Sequence, residues 1–548
     1  MRYFLLLIAF IFITNKSNGQ SYRFLGSRVY GGNKGENCNH LLKVTENKLL
    51  LIGESNSDAT GNKTTFNCDP LVYRTDIWAV LVDTNFNILW QISLGGILDD
   101  KQAFAINAGN GNILISCISQ SDSSCNRNTQ LKGGLDVLLF MIDTLGNVIW
   151  EKNFGTIQSC TGVHLSKLSD GNYVMLTSSS AGIGNDKTGI SHGMNDIWLV
   201  KFQPNGNIIF DKTYGGGNEE LPWNIDGQTS FGLIENNANE IAIFTNTKSS
   251  NSWDVSDTNN GFTDFWMFII DSSGNKISDF CYGGSINDYF TAATKNSSGY
   301  LIGGTSNSPL SGSISQPLIL PGTNTGWIIS VDTSGNKIWD RRYQGGNISS
   351  FNPVISILDI LPASNGEYWV TATCNTSAGK DVTDNPLGDS DAWIFKIDNI
   401  GNVLWDKRFG SPHMTKTSNS VLMADSSVFV FCSADTGITN VKAELGYGAS
   451  DYYLVHFRYD NVTTFVSEVA SSLELIYLYP NPASNDFFIK HSSEVKIQFV
   501  DILSMSGQVV KSFGSSCSNY NIEDLPNAVY LCRIKTNKGE VFRKISRL

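Results

Sequence analysis

The chain has 548 residues, 41% hydrophobic and 16% charged, with a formal net charge of −12. The charge is uneven: residues 20–473 hold 28 Lys and Arg against 44 Asp and Glu, whereas residues 474–548 hold 9 against 7. An acidic body repels phosphate backbones, which excludes nucleic acid as its partner, and no stretch approaches the ~20 apolar residues of a transmembrane helix.

In chain order the first element is a short leader. Arg2 supplies a positive start, Phe4 to Ile13 is an unbroken apolar run, and Ser17-Asn18-Gly19 places small residues before Gln20. This layout predicts a secretory signal peptide over residues 1–19, cut between Gly19 and Gln20.

The body, residues 20–460, repeats one unit: Asp-x-Trp, a strand, a turn of the Asp-x-x-Gly-Asn kind, and a second strand ending in an aromatic and Gly-Gly. Copies begin at Asp76, Asp136, Asp196, Asp264, Thr325, Asp391 and Asp451, so the period is about 60 residues. The first tryptophan recurs as Trp78, Trp198, Trp266, Trp327 and Trp393, with Leu138 and Tyr453 in the other copies. The second recurs as Trp90, Trp150, Trp339 and Trp405. In Asp196-Ile-Trp-Leu-Val-Lys-Phe202 both alternating faces are apolar, which requires cover on both sides of the strand. Two further strand candidates precede each Asp-x-Trp, such as Leu41–Val44 and Lys48–Ile52. Seven four-stranded units predict an all-β, seven-bladed propeller. The seventh copy lacks its last strand, and Ser21–Tyr30 carries the matching pattern, so the N-terminal strand is expected to close the ring. Copy one has Phe86 where the turn glycine belongs, and its hairpin is expected to depart from the others.

Ten cysteines in an exported chain permit disulfides, with Cys38–Cys68 and Cys517–Cys532 as candidate pairs. Cys117, Cys374 and Cys432 read as small buried fillers at one repeat position, equivalent to Gly53, Ser178, Thr245 and Gly303. The six histidines show no metal-binding spacing, and there is no nucleophile elbow or phosphate loop. Asp254, Asp257 and Asp264, and Asp381, Asp384, Asp389 and Asp391, cluster in loops; they read as turn formers, with calcium as the only cofactor they suggest. The stretch Asp332-Thr-Ser-Gly-Asn-Lys-Ile-Trp339 resembles the docking motif of pyrroloquinoline-quinone propellers, which implies that the nine tryptophans lock neighbouring blades. The adjacent cysteines of the quinone enzymes are missing, so no such cofactor is expected.

The long loops join the second and third strands of each blade: 55–75, 119–135, 178–195, 247–263, 306–325, 375–390 and 434–450. They open on one face, rich in Asn, Asp, Ser, Thr and Gly, with Tyr73, Trp253 and Tyr447 as its aromatics, and this face is the expected binding surface.

After a linker at 461–473, residues 474–548 read as a small antiparallel β-sandwich. Tyr479-Pro480-Asn481-Pro482, the hairpin at Gly507, the strand opened by Tyr530, the turn at Gly539 and the basic tail with Lys544 resemble the C-terminal sorting domain of the type IX secretion system of Bacteroidota. The resemblance implies a route through the type IX translocon, recognition by its sortase, and a secreted or outer-membrane surface location. The body likewise resembles repeats of surface proteins from those bacteria, which implies no particular activity. The sequence therefore points to a non-enzymatic binding or adhesion protein for a glycan or protein. A propeller polysaccharide hydrolase or lyase is the alternative, and a structural surface-layer component the third.

Overall fold

A computed structural model describes residues 19–69, 73–221, 229–236, 239–346, 354–439, 441–462, 476–504, 509–515 and 517–548. The leader at 1–18, most of the expected linker (463–473) and Gly507 lie outside the described residues. The chain divides between Gln20–Asp460 and a separate C-terminal unit.

The first unit contains seven antiparallel sheets. Blade 1 is Glu36–Thr45, Lys48–Ser55, Asp76–Asp83 and Ile88–Leu94, so its first two strands run longer than the apolar pattern alone suggests. Blades 2 to 6 repeat that order, and in blade 4 the first strand is split into Glu220–Leu221 and Gly232–Glu235. Blade 7 has Thr415–Leu422, Ser427–Ala434 and Asp451–Val462, and its fourth strand is Gly19–Tyr30 from the N-terminus. The third strands are the most deeply buried: every residue of Asp136–Ile142, Asp196–Phe202 and Asp391–Ile397 is buried, as strands with apolar residues on both faces demand.

One hydrogen bond repeats around the ring. The leading N–H of each first strand donates to the carbonyl just before the preceding blade's third strand: Asp100 to Thr75, Cys160 to Leu135, Glu220 to Asn195, Asp288 to Thr263, Ile355 to Asn324, Thr415 to Ser390 and Glu36 to Ser450, at 2.6–3.0 Å. The last of these joins blade 7 to blade 1. Long loops and blade-to-blade connections thus meet on one face.

The hairpin between third and fourth strands docks each blade on its neighbour. Asp271 Oδ1 accepts from Ser273 N at 2.8 Å and Asn275 N at 2.9 Å, and Gly274 takes φ +81°. A Cβ on Gly274 would lie 2.9 Å from the Phe210 ring of the previous blade, and Tyr214 Oη donates to Gly274 O at 2.6 Å. The glycine thus meets both a left-handed backbone and a ring packed on bare Cα. The hairpin of copy one keeps the same form, contrary to expectation. Phe86 itself adopts φ 69°, Asp83 Oδ1 accepts from Asn85 N and Asn87 N at 2.9 Å, and Tyr30 Oη donates to Phe86 O at 2.9 Å.

Both candidate disulfides are wrong. Cys68 bonds Cys125, which ties the long loop of blade 1 to that of blade 2; Cys38, Cys517 and Cys532 carry no disulfide. Cys38 is buried in the first strand of its blade, away from the loop that holds Cys68. The filler position also shifts. Opposite the repeat tryptophan stand Gly53, Cys117, Thr177, Thr245, Gly304, Ala372 and Cys432. Ser178, Gly303 and Cys374 lie one or two residues out of that register, since pairing and not local spacing sets what faces the indole.

The C-terminal unit has two sheets, Tyr477–Tyr479, Asp486–Lys490 and Tyr520–Asn521 in one, and Val509–Gly514, Ile497–Leu503, Val529–Thr536 and Gly539–Ser546 in the other. They enclose a core that includes Phe487, Val500, Ile502, Tyr530, Ile534 and Ile545.

Candidate functional site

The fold leaves two concave or open surfaces on the propeller: the channel along its axis and the long-loop face.

The channel encloses about 280 Å³ and is lined from all seven blades. The innermost strands of blades 1, 2, 3, 5, 6 and 7 each break register next to it, and such bulges re-aim side chains. Equivalent positions in blades 1, 2 and 3 place His40, Phe104 and His164 in one stack, with ring centroids 4.1 Å and 4.5 Å apart. Burial pushes the His40 imidazole down to about 3, helped by His164, and His164 down to about 4, so both are neutral at physiological pH. The channel carboxylates are engaged in holding blades together. Glu54 Oε1 accepts from Gln102 N at 3.0 Å, and Asp359 Oδ2 accepts from Ser420 N at 3.0 Å. Burial pushes Asp359 up to about 6. These channel residues escaped sequence reading, because each blade contributes one and no local motif joins them.

The long-loop face is built differently. In four blades the buried tryptophan donates its Nε1–H to an aspartate thirteen residues on: Trp198 to Asp211 at 2.9 Å, Trp266 to Asp279 at 3.2 Å, Trp327 to Asp340 at 3.1 Å and Trp393 to Asp406 at 2.9 Å. Trp78 uses Gln91 in the same way, at 3.1 Å. The same aspartates accept backbone N–H groups from the long loop, namely Thr188, Ser256, Ser315 and Thr383, at 2.9–3.0 Å. One carboxylate therefore pins the loop to the blade. Burial works against the charge of Asp279, yet hydrogen bonds from Lys276, Ser256 and Trp266 hold it below the usual range. A recurring acceptor at that spacing was legible in the sequence and went unread.

The other expected site residues fall as follows. Trp78, Trp198, Trp266, Trp327 and Trp393 are fully buried. Trp90, Trp150 and Trp339 are half-buried and donate to carbonyls in the next blade's hairpin, Thr144 at 2.9 Å, Pro204 at 3.1 Å and Asn399 at 3.2 Å. Trp405 stacks on Phe457 of blade 7, with centroids 5.7 Å apart. Gly19 and Gln20 open the closing strand. The acidic loops do not converge: Asp254, Asp381 and Asp384 each accept one backbone N–H, from Gly215, Gln344 and Arg408, and Asp257 accepts two, from Cys281 and Thr258. Among the described residues no three His, Cys, Asp or Glu side chains gather as metal ligands. Tyr73, Trp253 and Tyr447 are exposed on the face, and Phe66 and Phe262 join them, two exposed aromatics that the sequence reading had missed.

In the C-terminal unit Asn481 ties the opening motif to the last strand. Its Nδ2 donates to Lys544 O at 2.7 Å and its Oδ1 accepts from Ser546 N at 3.0 Å. Pro480 and Pro482, on either side, follow cis peptide bonds. Tyr479 ends the first strand, Tyr530 Oη donates to Pro526 O at 2.7 Å, Gly539 takes φ 135° in the last hairpin, and the Lys544 side chain is exposed.

With both units described, the class is an all-β propeller that carries a C-terminal module. Residues 477–546 match the family described as secretion system C-terminal sorting domain, so the module is a type IX sorting domain. That domain implies a Bacteroidota protein, export to the cell surface or medium, and interaction with the type IX machinery. No helix among the described residues is long and apolar enough to cross a membrane. No curated protein matches the chain. Similar solved structures include BBS1N in complex with ARL6DN (7% identity, 81% of this chain and 98% of that one, TM-score 0.41). Others are the Neurospora crassa Pan2 WD40 domain (9%, 80% and 96%, 0.41) and an ulvan lyase of a new polysaccharide lyase family, PL25 (10%, 80% and 96%, 0.42). At these identities and scores the likenesses carry nothing about ligand or activity.

Proposed function

We propose that this protein is a non-enzymatic binding or adhesion module, carried out of the cell by the type IX route, that recognises an extracellular glycan or protein through its long-loop face. The observation that supports it most is the pinning of those loops by the buried aspartates at the Trp–Asp pairs, which makes an irregular rim rigid while exposed aromatics stand on it. Residues 1–19 serve as the signal, cut between Gly19 and Gln20, and the sorting domain engages the translocon and its sortase. The nine tryptophans serve as blade locks. The enzymatic alternative loses support because the channel carboxylates Glu54 and Asp359 already accept backbone N–H groups between blades. The test is the full chain on a glycan array and on extracellular-matrix proteins, with and without calcium. Saturable binding without product is expected. Release of reducing ends or unsaturated sugars would replace binding with catalysis, and absence of both would leave a structural surface component.

A further inference from the structure

Six of the long loops share one tight turn whose second residue takes positive φ. It is Gly61 at 62°, Cys125 at 54°, Asn185 at 52°, Trp253 at 51°, Gly312 at 57° and Lys380 at 51°. Gly and Asn suit that conformation, whereas a tryptophan there is strained. In blades 2, 3 and 4 that residue meets the preceding blade's long loop, and the chemistry of the contact differs. Cys125 bonds Cys68. Asn185 Nδ2 donates to Lys132 O at 2.9 Å. Trp253 lies flat on His192, with centroids 4.1 Å apart and planes 9° apart.

A blade staple accounts for the cysteine and the asparagine, since both are consumed by their partner. It does not account for Trp253, which keeps 69% of its surface exposed. One indole face is backed by an imidazole, and the opposite face meets solvent. Strain held in place by its surroundings, together with a large apolar ring presented to water, is the pattern of a ligand clamp. The exposed residues near it in the same loop are neutral hydrogen-bonding ones: Ser250, Asn251, Ser256 and Thr258. The charged residues of the same loop already have partners, Asp257 in Cys281 N at 2.8 Å. Asp254 Oδ2 accepts from Gly215 N at 3.2 Å, and Lys248 pairs with Glu219 at 2.8 Å.

We infer that Trp253, backed by His192, is the stacking platform of a saccharide subsite, where the C–H face of a pyranose lies on the indole and its hydroxyls meet the neighbouring Ser, Thr and Asn side chains. Such a ring offers apolar C–H groups on one face and neutral hydroxyls at its edge, which matches an aromatic plane rimmed by uncharged donors and acceptors. This rests on the reading of the long-loop face as a binding surface, and narrows its ligand to a neutral glycan.

The test compares the full chain with Trp253→Ala and Trp253→Phe, titrated with cello-, laminari-, xylo-, manno- and chito-oligosaccharides by calorimetry. Binding of at least one sugar is expected, weakened about tenfold or more by Trp253→Ala and retained within a few-fold by Trp253→Phe. A melting curve for each variant separates a lost platform from a lost fold. Equal binding by wild type and Trp253→Ala overturns the subsite and leaves the binding face intact. A wild-type chain that binds an extracellular protein but no sugar overturns the saccharide. Failure to bind either overturns the binding face as well.

Discussion

Asp211 shows how one side chain can connect core to surface. Its Oδ2 accepts the Nε1–H of Trp198 at 2.9 Å and Thr188 N at 2.9 Å, while its Oδ1 accepts from the Thr188 hydroxyl at 2.6 Å. Trp198 is fully buried, so its indole N–H has no water to turn to. Asp211→Ala leaves that donor and a loop N–H unsatisfied, and a buried unmet donor costs about 1–3 kcal/mol. The expected result is a urea midpoint lowered by that order with the slope unchanged, together with faster proteolysis of the loop at 178–195. Asp211→Asn keeps an acceptor for the indole and should lose less. The repeat tryptophan was plain in the sequence because its spacing is regular. Its partner was equally regular, but an aspartate in the middle of an outer strand reads as solvated surface until the strand pairing puts it under the loop.

At the level of the blade, the junctions hold carboxyl groups in facing pairs. The aspartate that opens a third strand meets the acid that opens the next first strand: Asp264 with Asp288, Asp76 with Asp100, and Asp451 with Glu36. A Cβ on Gly283 would fall 2.3 Å from Asp264 Oδ1 and 2.9 Å from Asp288 Oδ2, so the first residue of each Gly-Gly must be bare. All six acids are buried, and among the described residues Oδ1 of Asp76, Asp100, Asp264, Asp288 and Asp451 has no hydrogen-bond partner. Burial pushes Asp76, Asp264 and Asp451 up to about 7, and the facing carboxylate adds to it. Glu36, Asp100 and Asp288 are raised too, again chiefly by burial. The folded ring therefore holds protons that the unfolded chain has released. Stability from this source is full below the ordinary carboxyl value and is lost as pH rises from about 4 to about 7. Arg342 near Asp288 opposes the effect, Asp257 near Asp264 reinforces it, and Lys63 and Lys442, which burial lowers, titrate on the alkaline side. His40, His164 and His456, which burial lowers, act in the opposite sense as pH falls through the ordinary histidine value. The raised acids, Asp196, Glu220 and Asp391 among them, outnumber these histidines, so the melting temperature is expected to be higher at pH 5 than at pH 8. Asp264→Asn supplies a permanent donor toward Asp288, and should narrow that difference by raising the pH 8 value. A melting temperature that rises from pH 5 to pH 8 would contradict this account.

Across the whole molecule, the features repeated in every blade were legible and those made once were not. Asp-x-Trp, the Asp-x-x-Gly turn and Gly-Gly recur because each blade docks on the next in the same way, so a single sequence shows them as a period. The His40–Phe104–His164 stack, the Cys68–Cys125 bond and the Trp253–His192 contact each join residues roughly 60 apart or more, each at its own junctions. Pairing chemistry that varies between junctions leaves no period to read. Closure is the case in between. It is a single event, yet it was visible because the strand missing from the last copy stands at the start of the chain. In the structure Val29 and Tyr30 are fully buried, Val29 N donates to Glu444 Oε2 at 3.1 Å, and Arg28 pairs with Glu444 at 3.0 Å. Removal of residues 20–30 would expose the edge of Asp451–Val462, strip the Phe86 hairpin of the Tyr30 hydroxyl, and leave blade 7 with three strands. An open strand edge recruits other chains. The truncated protein is therefore expected to melt well below the full chain and to self-associate, with light scattering rising before the melt. A truncated protein that stays monomeric and melts with the full chain would show that the ring is held by the Glu36–Ser450 hydrogen bond and the blade 7–blade 1 packing without the strand.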